Sequence, residues 1–310
     1  MPGITPQRVV ASGRPTVKAK PGSILARAVP VSEIGDEPLH AILYGKNRTG
    51  KTTLACQFPK PLLLISVEPT KTGGAQSVRS VPGVSHIKLS ASAEIEAAGH
   101  ELTKDCGYVT AVLDGPSSMD EVVLAEICGW DQTINMNRFG KVNQDQYTER
   151  SERMRKILRP FLDSPINVIF CCNEKDYNPP EGRKSALVRG PHTESHIAAA
   201  MGGGTTRWLQ EGCEIWHLYR DREIITRTNK VTVGSGKSAV TEDVVEEIDT
   251  GKIVRRLRLQ FHTNYSAGVR ADLGKVGTVP EFIQANMAIK DEQQSRDMYV
   301  KLMAVYGRKP

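Results

Sequence analysis

The sequence predicts an α/β protein with a mostly parallel sheet that is covered by helices and extended by late antiparallel strands and a C-terminal helix. Three observations lead to this fold class: short apolar runs without alternation, segments of helical spacing between these runs, and a change to short strand-like segments late in the chain. Strands of a parallel sheet are buried on both faces, so their sequences are continuously apolar. The 310 residues are enough to bury a full core.

Four apolar runs predict the parallel strands, and two longer segments between them predict helices. The predicted strands are His40 to Tyr44, Leu62 to Val67, Val109 to Leu113 and Val168 to Cys172. Pro116 to Cys128 and Asn143 to Asp163 have the spacing of helices. Because strands and helices alternate, we expect a doubly wound sheet.

The chain changes character after Asn173. Residues 174 to 213 contain three prolines and a run of three glycines, and a long stretch of this kind in a compact domain is usually functional or mobile. Strand-like segments follow at Ile215 to Tyr219, Ile224 to Thr228, Val244 to Ile248 and Ile253 to His262. Residues 249 to 252 predict a hairpin turn between the last two, and Glu281 to Tyr306 predicts a C-terminal helix.

The net charge of +6 is concentrated at the N-terminus. Residues 1 to 30 contain five basic residues and no acidic residue, whereas the rest of the chain is nearly neutral. The basic residues are Arg8, Arg14, Lys18, Lys20 and Arg27. A basic arm rich in proline either attracts phosphate backbones or remains solvated, and the sequence leaves both open.

Neither a membrane span nor a signal peptide is predicted, because no apolar run approaches the roughly 18 to 20 residues that cross a bilayer. The six cysteines are scattered without a CxxC pair, so they form neither a disulfide framework nor a zinc site. His192 and His196 are four apart, but no third metal ligand is visible. We therefore expect a cytoplasmic protein with reduced cysteines and no membrane contact.

A glycine-rich segment after the first predicted strand carries the strongest functional signal. It matches the pattern GxxxxGK[ST] and lies between a predicted strand and a predicted helix, Lys51 to Phe58. Backbone N–H groups of such a P-loop surround the β-phosphate of a nucleotide. Lys51 is expected to reach the β- and γ-phosphates of ATP, and Thr52 to offer its hydroxyl to Mg²⁺. The predicted nucleotide-binding residues are Gly45, Lys46, Asn47, Arg48, Thr49, Gly50, Lys51, Thr52 and Thr53.

Polar residues follow two further predicted strands. Asp114 ends the third apolar run and is expected to orient Mg²⁺, as a Walker B aspartate does. Asn173 follows the fourth run, where a sensor of the γ-phosphate would lie. Because Gly115 rather than glutamate follows Asp114, the base that activates water must come from elsewhere. The order Asn173-Glu-Lys-Asp176 is close to the guanine-reading motif NKxD, but its lysine is one place late, so a GTPase is a less favoured alternative.

With these residues in place, residues 38 to 285 resemble the phage- and plasmid-encoded RecA-like nucleotide-binding proteins of the AAA type, which include single-strand annealing recombinases. The resemblance rests on the P-loop and on LLLISVEP (62–69), VLDGPSS (112–118) and VIFCCNE (168–174). Looser matches are EIWHLYR (214–220), IITRTNK (224–230) and SAGVRAD (266–272). We therefore expect an irregular basic arm over 1–36, a RecA-like P-loop ATPase domain over 37–286 with an insertion at about 231–253, and a C-terminal helix over 287–310.

The resemblance also implies a catalytic set. Glu68 stands where RecA-like ATPases carry the base that activates water, and Lys51 and Asn173 serve the phosphates. Arg270 stands where such a protein presents a basic residue to the γ-phosphate of a neighbouring subunit. The implied assembly is a homo-oligomer with its ATP site at a subunit boundary.

RecA-like proteins contact single-stranded DNA through two loops, which by position are Gly129 to Val142 and residues 175 to 210. Their aromatic and basic residues are Trp130, Arg138, Phe139, Lys141, Lys175, Arg183, Lys184, Arg189 and Arg207. Aromatic rings stack on bases, and cations meet phosphates. The resemblance thus implies a phage ATPase that binds single-stranded DNA and promotes annealing or recombination. Two alternatives remain: the second loop as a substrate-gating lid, and the whole protein as a nucleotide-gated assembly protein without significant turnover.

Overall fold

The computed structural model describes residues 37–67, 74–129, 144–177, 188–191, 213–233, 240–259 and 279–310. Residues Pro38–Pro310 form one compact unit. The described strands are β1 (His40–Gly45), β2 (Leu62–Ser66), β3 (Val84–Lys88), β4 (Thr110–Asp114), β5 (Asn167–Tyr177), β6 (Val188–Pro191), β7 (Glu214–Val233), β8 (Val240–Arg258) and β9 (Phe282–Gln284). The described helices are α1 (Lys51–Ala55), α2 (Ser92–Leu102), α3 (Pro116–Ile127), α4 (Gln144–Leu162) and α5 (Asp291–Val305), with a 3-10 helix at Gly74–Val78.

Within these residues, nine strands form one sheet of order β3-β2-β4-β5-β1-β7-β8-β9, and β6 pairs with the end of β5. The pairs among β1 to β5 are parallel, and the start of β7 is parallel to β1. The pairs that β8 makes with β7 and β9 are antiparallel. The predicted fold class is therefore confirmed: a mostly parallel sheet covered by helices, with late antiparallel strands and a C-terminal helix.

Helices cover both faces of the sheet, and each face has its own hydrophobic core. One core contains Leu54 of α1 and Met298 of α5, and the other contains Ile95 of α2, Met119 of α3 and Ile157 of α4. The helix α4 forms because its apolar residues recur at intervals of three and four and therefore share one face. These buried residues are Met154, Ile157, Leu158 and Phe161.

The antiparallel part of the sheet differs from its prediction in one respect. Residues 249 to 252 do not form a hairpin turn, because β8 continues through them and remains paired with β7 on both sides. Asp249 Oδ1 accepts a hydrogen bond from Gly251 N at 2.8 Å, and Gly251 has a φ of 73°. The turn residues therefore produce a bulge inside a strand, and the chain reverses between the end of β7 at Val233 and the start of β8 at Val240.

Three predicted boundaries are also wrong. The helix after the P-loop ends at Ala55 rather than Phe58, and the strand that contains Asn173 continues to Tyr177 because it pairs with β6. The C-terminal helix begins at Asp291, since Phe282–Gln284 forms the edge strand β9. All six cysteines are free, as predicted. Of the helices described, none is long and apolar enough to cross a membrane.

Candidate functional site

The carboxyl ends of three neighbouring parallel strands meet at one edge of the sheet. Gly45 at the end of β1 is paired with Asn173 of β5, and Asp114 at the end of β4 is paired with Cys171 of β5. This register follows from the parallel pairing of continuously apolar strands, and the open edge of such a sheet is where ligands bind. Residues 114 and 173, which are far apart in sequence, therefore lie beside the loop that begins at Gly45.

The loop from Gly45 to Lys51 has the backbone of a phosphate-binding turn. Arg48 has a φ of 63° and Gly50 a φ of 92°, and the Thr49 hydroxyl donates to Lys46 O at 2.9 Å. The left-handed residues turn the chain sharply, which suits glycine at position 50. Gly45 is required for another reason, since a Cβ atom there would collide with the backbone carbonyl oxygen of Leu218 in β7.

Lys51 extends back over the loop from the first position of α1. Its Nζ donates to Gly45 O at 2.9 Å, to Lys46 O at 3.0 Å and to Asn173 Oδ1 at 3.3 Å. The side chain is buried, so its charge acts in a setting with little water. An ammonium group held in this position can contact the phosphates of a nucleotide that the loop surrounds.

Thr52 and Asp114 form a buried oxygen pair next to Lys51. The Thr52 hydroxyl donates to Asp114 Oδ2 at 2.9 Å, and both residues are buried. Hydroxyl and carboxylate oxygens are the donors that Mg²⁺ prefers, and Mg²⁺ in nucleotide enzymes takes only one or two protein ligands beside the phosphates. The pair therefore fits the predicted Mg²⁺ site.

Gly74, at the start of the 3-10 helix, lies against this oxygen pair. A Cβ atom at Gly74 would collide with Asp114 Oδ2 and with the Thr52 hydroxyl. The sequence analysis did not identify Gly74, because its role depends on a contact between distant parts of the chain. The available signal in the sequence was the glycine pair Gly73-Gly74, which follows Thr72.

Asn173 and Glu174, which are neighbours in β5, make different contacts. Asn173 Oδ1 accepts a hydrogen bond from Lys51 Nζ, which places this amide beside the phosphate loop. Glu174 Oε2 instead lies 3.0 Å from Nε2 of His217 in β7, and the two side chains are 3% and 2% exposed. His217 is itself stacked between Tyr44 and Tyr219, at centroid distances of 4.5 and 5.0 Å. A contact between Asn173 and the lysine of the phosphate loop argues against its use in reading a guanine base.

Three buried thiols lie close enough to the site for the charge of Asp114 to affect their pKa values, and burial keeps them neutral. Burial raises the pKa of Cys172 to about 12, with Lys51 opposing the shift and Asp114 adding to it. Burial, and next the charge of Asp114, raise the pKa of Cys171 well above its ordinary value. Cys56 also has a pKa raised to about 12, chiefly by burial. These cysteines therefore serve as packing groups and not as nucleophiles.

Several predicted residues lie outside the described part of the chain. They are Glu68, Arg270, the histidines 192 and 196, and the loop residues Trp130, Arg138, Phe139, Lys141, Arg183, Lys184 and Arg207. The structure therefore brings together Lys51, Thr52, Asp114 and Asn173 of the predicted set. It also adds Arg255 of β8, whose guanidinium group lies against Gly50.

Comparison with protein-family models identifies the family of this chain. A family model described as an AAA domain matches residues 37–201, which is more than half of the 310 residues. Among solved structures, the chain is similar to a KaiC-like protein of the hyperthermophilic archaeon Pyrococcus horikoshii, with 13% identity, a TM-score of 0.36, and coverage of 74% of this chain and 88% of that one. A search of curated proteins finds no match. On the family match and the P-loop geometry together, the chain belongs to the AAA domain family of P-loop ATPases.

Proposed function

We propose that this protein is a Mg²⁺-dependent ATPase that assembles on single-stranded DNA and promotes annealing or strand exchange, with hydrolysis resetting the assembly. The observation that supports ATP binding most directly is the convergence of Lys51, Thr52, Asp114 and Asn173 at one edge of the sheet. These groups supply a cation, two metal ligands and an amide around a phosphate-binding loop. The proposed location is the cytoplasm of a host cell, with a phage as the source of the gene.

Each residue has a separate role in this proposal. Lys51 holds the β- and γ-phosphates, and Thr52 and Asp114 hold Mg²⁺, which neutralises charge on the phosphates when bound. Asn173 positions the γ-phosphate with its side-chain amide, whose oxygen also accepts a hydrogen bond from Lys51. Glu68 takes the proton of the attacking water, and Arg270 of a neighbouring subunit stabilises the charge that develops during transfer.

The DNA part of the proposal rests on the family resemblance and on the path of β5. This strand passes from Val168 in the core through Asn173 at the phosphate loop to Tyr177, so its last three residues are the first three of the candidate DNA stretch 175–210. A change at the γ-phosphate is therefore connected to that loop by one continuous strand. The other candidate loop lies between Ile127 at the end of α3 and Gln144 at the start of α4.

The decisive experiment measures ATP hydrolysis with and without single-stranded DNA. We expect turnover by the wild-type protein to rise when DNA is added, and Glu68→Gln to retain ATP affinity while losing turnover. The control variant is Glu174→Gln, because the carboxylate of Glu174 is paired with His217. Full turnover by Glu68→Gln would remove Glu68 from the site, and turnover that ignores DNA would remove the DNA-dependent part of the proposal.

The DNA surface is tested by removing side chains from both candidate loops. The combined variant Arg138→Ala, Phe139→Ala, Arg183→Ala and Lys184→Ala should bind single-stranded DNA more weakly, with a flatter dependence of affinity on salt. Deletion of residues 1–30 is the comparison, because it removes five basic residues of the N-terminal arm. If the deletion alone abolishes binding, the arm is the DNA contact.

A subunit-mixing assay tests the proposed homo-oligomer. Lys51→Ala and Arg270→Ala are each expected to be inactive, but their mixture contains some sites with both residues intact. Activity should therefore return in part if Arg270 acts across a subunit boundary. Mixed assemblies that recover no activity would exclude Arg270 from the site.

One observation favours a second candidate, a nucleotide-gated assembly protein without significant turnover. In the described part of the chain, Gly115 follows Asp114, and the acid next to Asn173 is buried against His217. Neither position supplies a free acid next to the phosphate loop in the described part of the chain, which leaves Glu68 as the proposed base. This candidate predicts tight ATP binding and DNA-independent assembly. It also predicts negligible release of phosphate, which the same hydrolysis assay measures.

A further inference from the structure

We propose that Arg255 of β8 is a second cation of the nucleotide site, supplied by the same chain that carries the P-loop, and that it binds the α- and β-phosphates. This inference rests on the proposed nucleotide binding and names a residue that no sequence motif indicates. It begins from a contact. A Cβ atom on Gly50 would lie 3.2 Å from Cζ and Nη1 of Arg255 and 3.3 Å from Nη2, so the end of the guanidinium group packs on this glycine.

Gly50 belongs to the loop whose backbone would surround the phosphates. It precedes Lys51 in the P-loop and has a φ of 92°. This left-handed backbone lets the loop curve around an anion. A side chain that lies on Gly50 is therefore beside the phosphates as well. Arginine has five N–H donors in a rigid fork that matches two phosphate oxygens at once.

The order of the strands indicates which phosphates Arg255 meets. Asp114 reaches the site from β4, on one side of β1, whereas Arg255 reaches it from β8, on the opposite side. Thr52 and Asp114 would hold Mg²⁺, which would neutralise charge on the β- and γ-phosphates. Arg255 therefore approaches from the side of the α-phosphate, where ATP and ADP are identical.

Neighbouring contacts hold Arg255 in this place. Its residue is 7% exposed, its Nη1 donates to the Ser295 hydroxyl of α5 at 3.2 Å, and its backbone oxygen accepts from Ala285 N at 2.9 Å. The helix α5 also packs on the segment that follows α1, because the ring centroid of Tyr299 is 5.0 Å from that of Phe58. The C-terminal helix thus orients a cation toward the phosphates.

A structural role is the competing explanation, since the same contacts could serve only to attach α5 to the phosphate loop. The two explanations predict different nucleotide affinities when Arg255 is replaced. A structural arginine stabilises the protein equally with and without nucleotide, whereas a phosphate ligand lowers nucleotide affinity when it is removed. Affinity measured on folded protein, together with the melting temperature without nucleotide, separates them.

The experiment compares Arg255→Gln with Arg256→Gln. Arg256 is the next residue of β8 and points to the opposite face, where its Nη1 pairs with Asp221 at 3.0 Å. We expect Arg255→Gln to weaken binding of Mg-ADP and Mg-ATP by a similar factor, about 10- to 100-fold, because a charge-assisted bidentate contact is lost. Arg256→Gln should bind both nucleotides as the wild type does. These affinities are measured on the 310-residue chain by displacement of a fluorescent nucleotide.

Pyrophosphate distinguishes a phosphate contact from a contact with the nucleoside. Its ability to displace the fluorescent nucleotide should fall in Arg255→Gln by the same factor as that of ADP. If ADP binds more weakly while pyrophosphate is unaffected, the assignment to the phosphates is overturned. A loss confined to ATP would also overturn it, because that result places Arg255 at the γ-phosphate.

Arg255→Lys carries the test if Arg255→Gln does not fold. It keeps the charge and loses the fork, so both nucleotides should bind at least about threefold more weakly. Wild-type affinity in a folded Arg255 variant would overturn the inference while leaving the proposed function intact, provided that the wild type and Arg256→Gln bind nucleotide. If the wild type itself binds neither ATP nor ADP, the proposed function fails first.

Discussion

The parallel and antiparallel parts of the sheet differ in what they leave exposed. Strands β1, β2 and β4 have nearly all of their residues buried between the two helical layers. The ribbon formed by β7 and β8 beyond the core instead leaves large apolar side chains in contact with solvent. These residues are Ile224, Ile225, Ile248 and Ile253. The buried parallel part therefore positions most of the candidate site, and the antiparallel part reaches it only near the end that lies beside β1.

The largest effect is expected in the parallel part, at the phosphate loop. Lys51→Ala should reduce turnover at least about 100-fold, because a buried cation that faces the phosphates is removed. The fold should persist, since the acceptors of Lys51 are two backbone carbonyls of its own loop and Asn173. Phosphate release measures the loss, and circular dichroism checks the fold. Near wild-type turnover in a folded Lys51→Ala protein would contradict the assignment of the site.

A matched pair of isoleucines tests the difference in burial directly. Ile42 of β1 is fully buried, whereas Ile253 of β8 is 62% exposed. Ile42→Ala should lower the free energy of unfolding by about 2–5 kcal/mol, and Ile253→Ala should change it by no more than about 0.5 kcal/mol. Urea denaturation measures both values. Equal losses would mean that the ribbon is as well packed as the core, and the contrast between the two parts would disappear.

Gly45→Ala probes the place where the two parts of the sheet meet. The added methyl group would collide with the carbonyl oxygen of Leu218, which is backbone and cannot rotate away. We expect a loss of about 1–3 kcal/mol in the free energy of unfolding, as for other overpacked sites. Nucleotide affinity should fall at the same time, because the displaced strand borders the phosphate loop. Unchanged stability in the same urea assay would show that β7 moves freely relative to β1.

The smallest effect concerns the chemical access to cysteines. Cys172 in β5 is buried, and burial raises its pKa to about 12 from an ordinary value of 9.0. At pH 8 it should resist iodoacetamide in the folded protein, whereas the partly exposed Cys106 should react, as mass spectrometry of the labelled peptides would show. Early labelling of Cys172 would indicate that the parallel part opens.

The same thiol sets the sign of a pH effect on stability. Since the folded state keeps Cys172 protonated, its contribution is fully present below about pH 9, where the unfolded thiol is also protonated. That contribution falls as the pH rises toward 12, because the unfolded thiol then ionises and the folded one does not. Replacing Cys172 with alanine should therefore flatten the alkaline limb of a stability profile measured by urea denaturation.

The parallel strands could be predicted because burial on both faces leaves a direct mark on the sequence. The edge strand β3, Val84–Lys88, has no such mark, since four of its five residues are exposed, and it was missed. The turn predicted at residues 249–252 was wrong for a different reason. Local turn chemistry, seen in the φ of Gly251, is compatible with both a reversal and a bulge, and only long-range pairing decides between them.

The candidate site divides in the same way. Lys51, Thr52 and Asp114 belong to short motifs whose spacing reflects the chemistry of a nucleotide. Arg255 belongs to none, and its signal is weak: it shares a strand face with Leu257 and Leu259, so an arginine stands where the alternation calls for an apolar residue. Contacts of this kind depend on how strands from opposite ends of the chain are ordered, which a local pattern does not encode.

The packing of α5 has a consequence for synthesis of the chain. Trp216 donates its indole N–H to the hydroxyl of Tyr306 at 3.1 Å, and Phe58 packs against Tyr299. Before residues 291–306 are synthesised, Trp216 lacks the hydroxyl of Tyr306 and Phe58 lacks the ring of Tyr299. Arg255 then also lacks the hydroxyl of Ser295. A nascent chain that already contains the whole P-loop therefore packs these two rings incompletely and lacks one contact that positions Arg255. Residues 291–306 supply all of these contacts together.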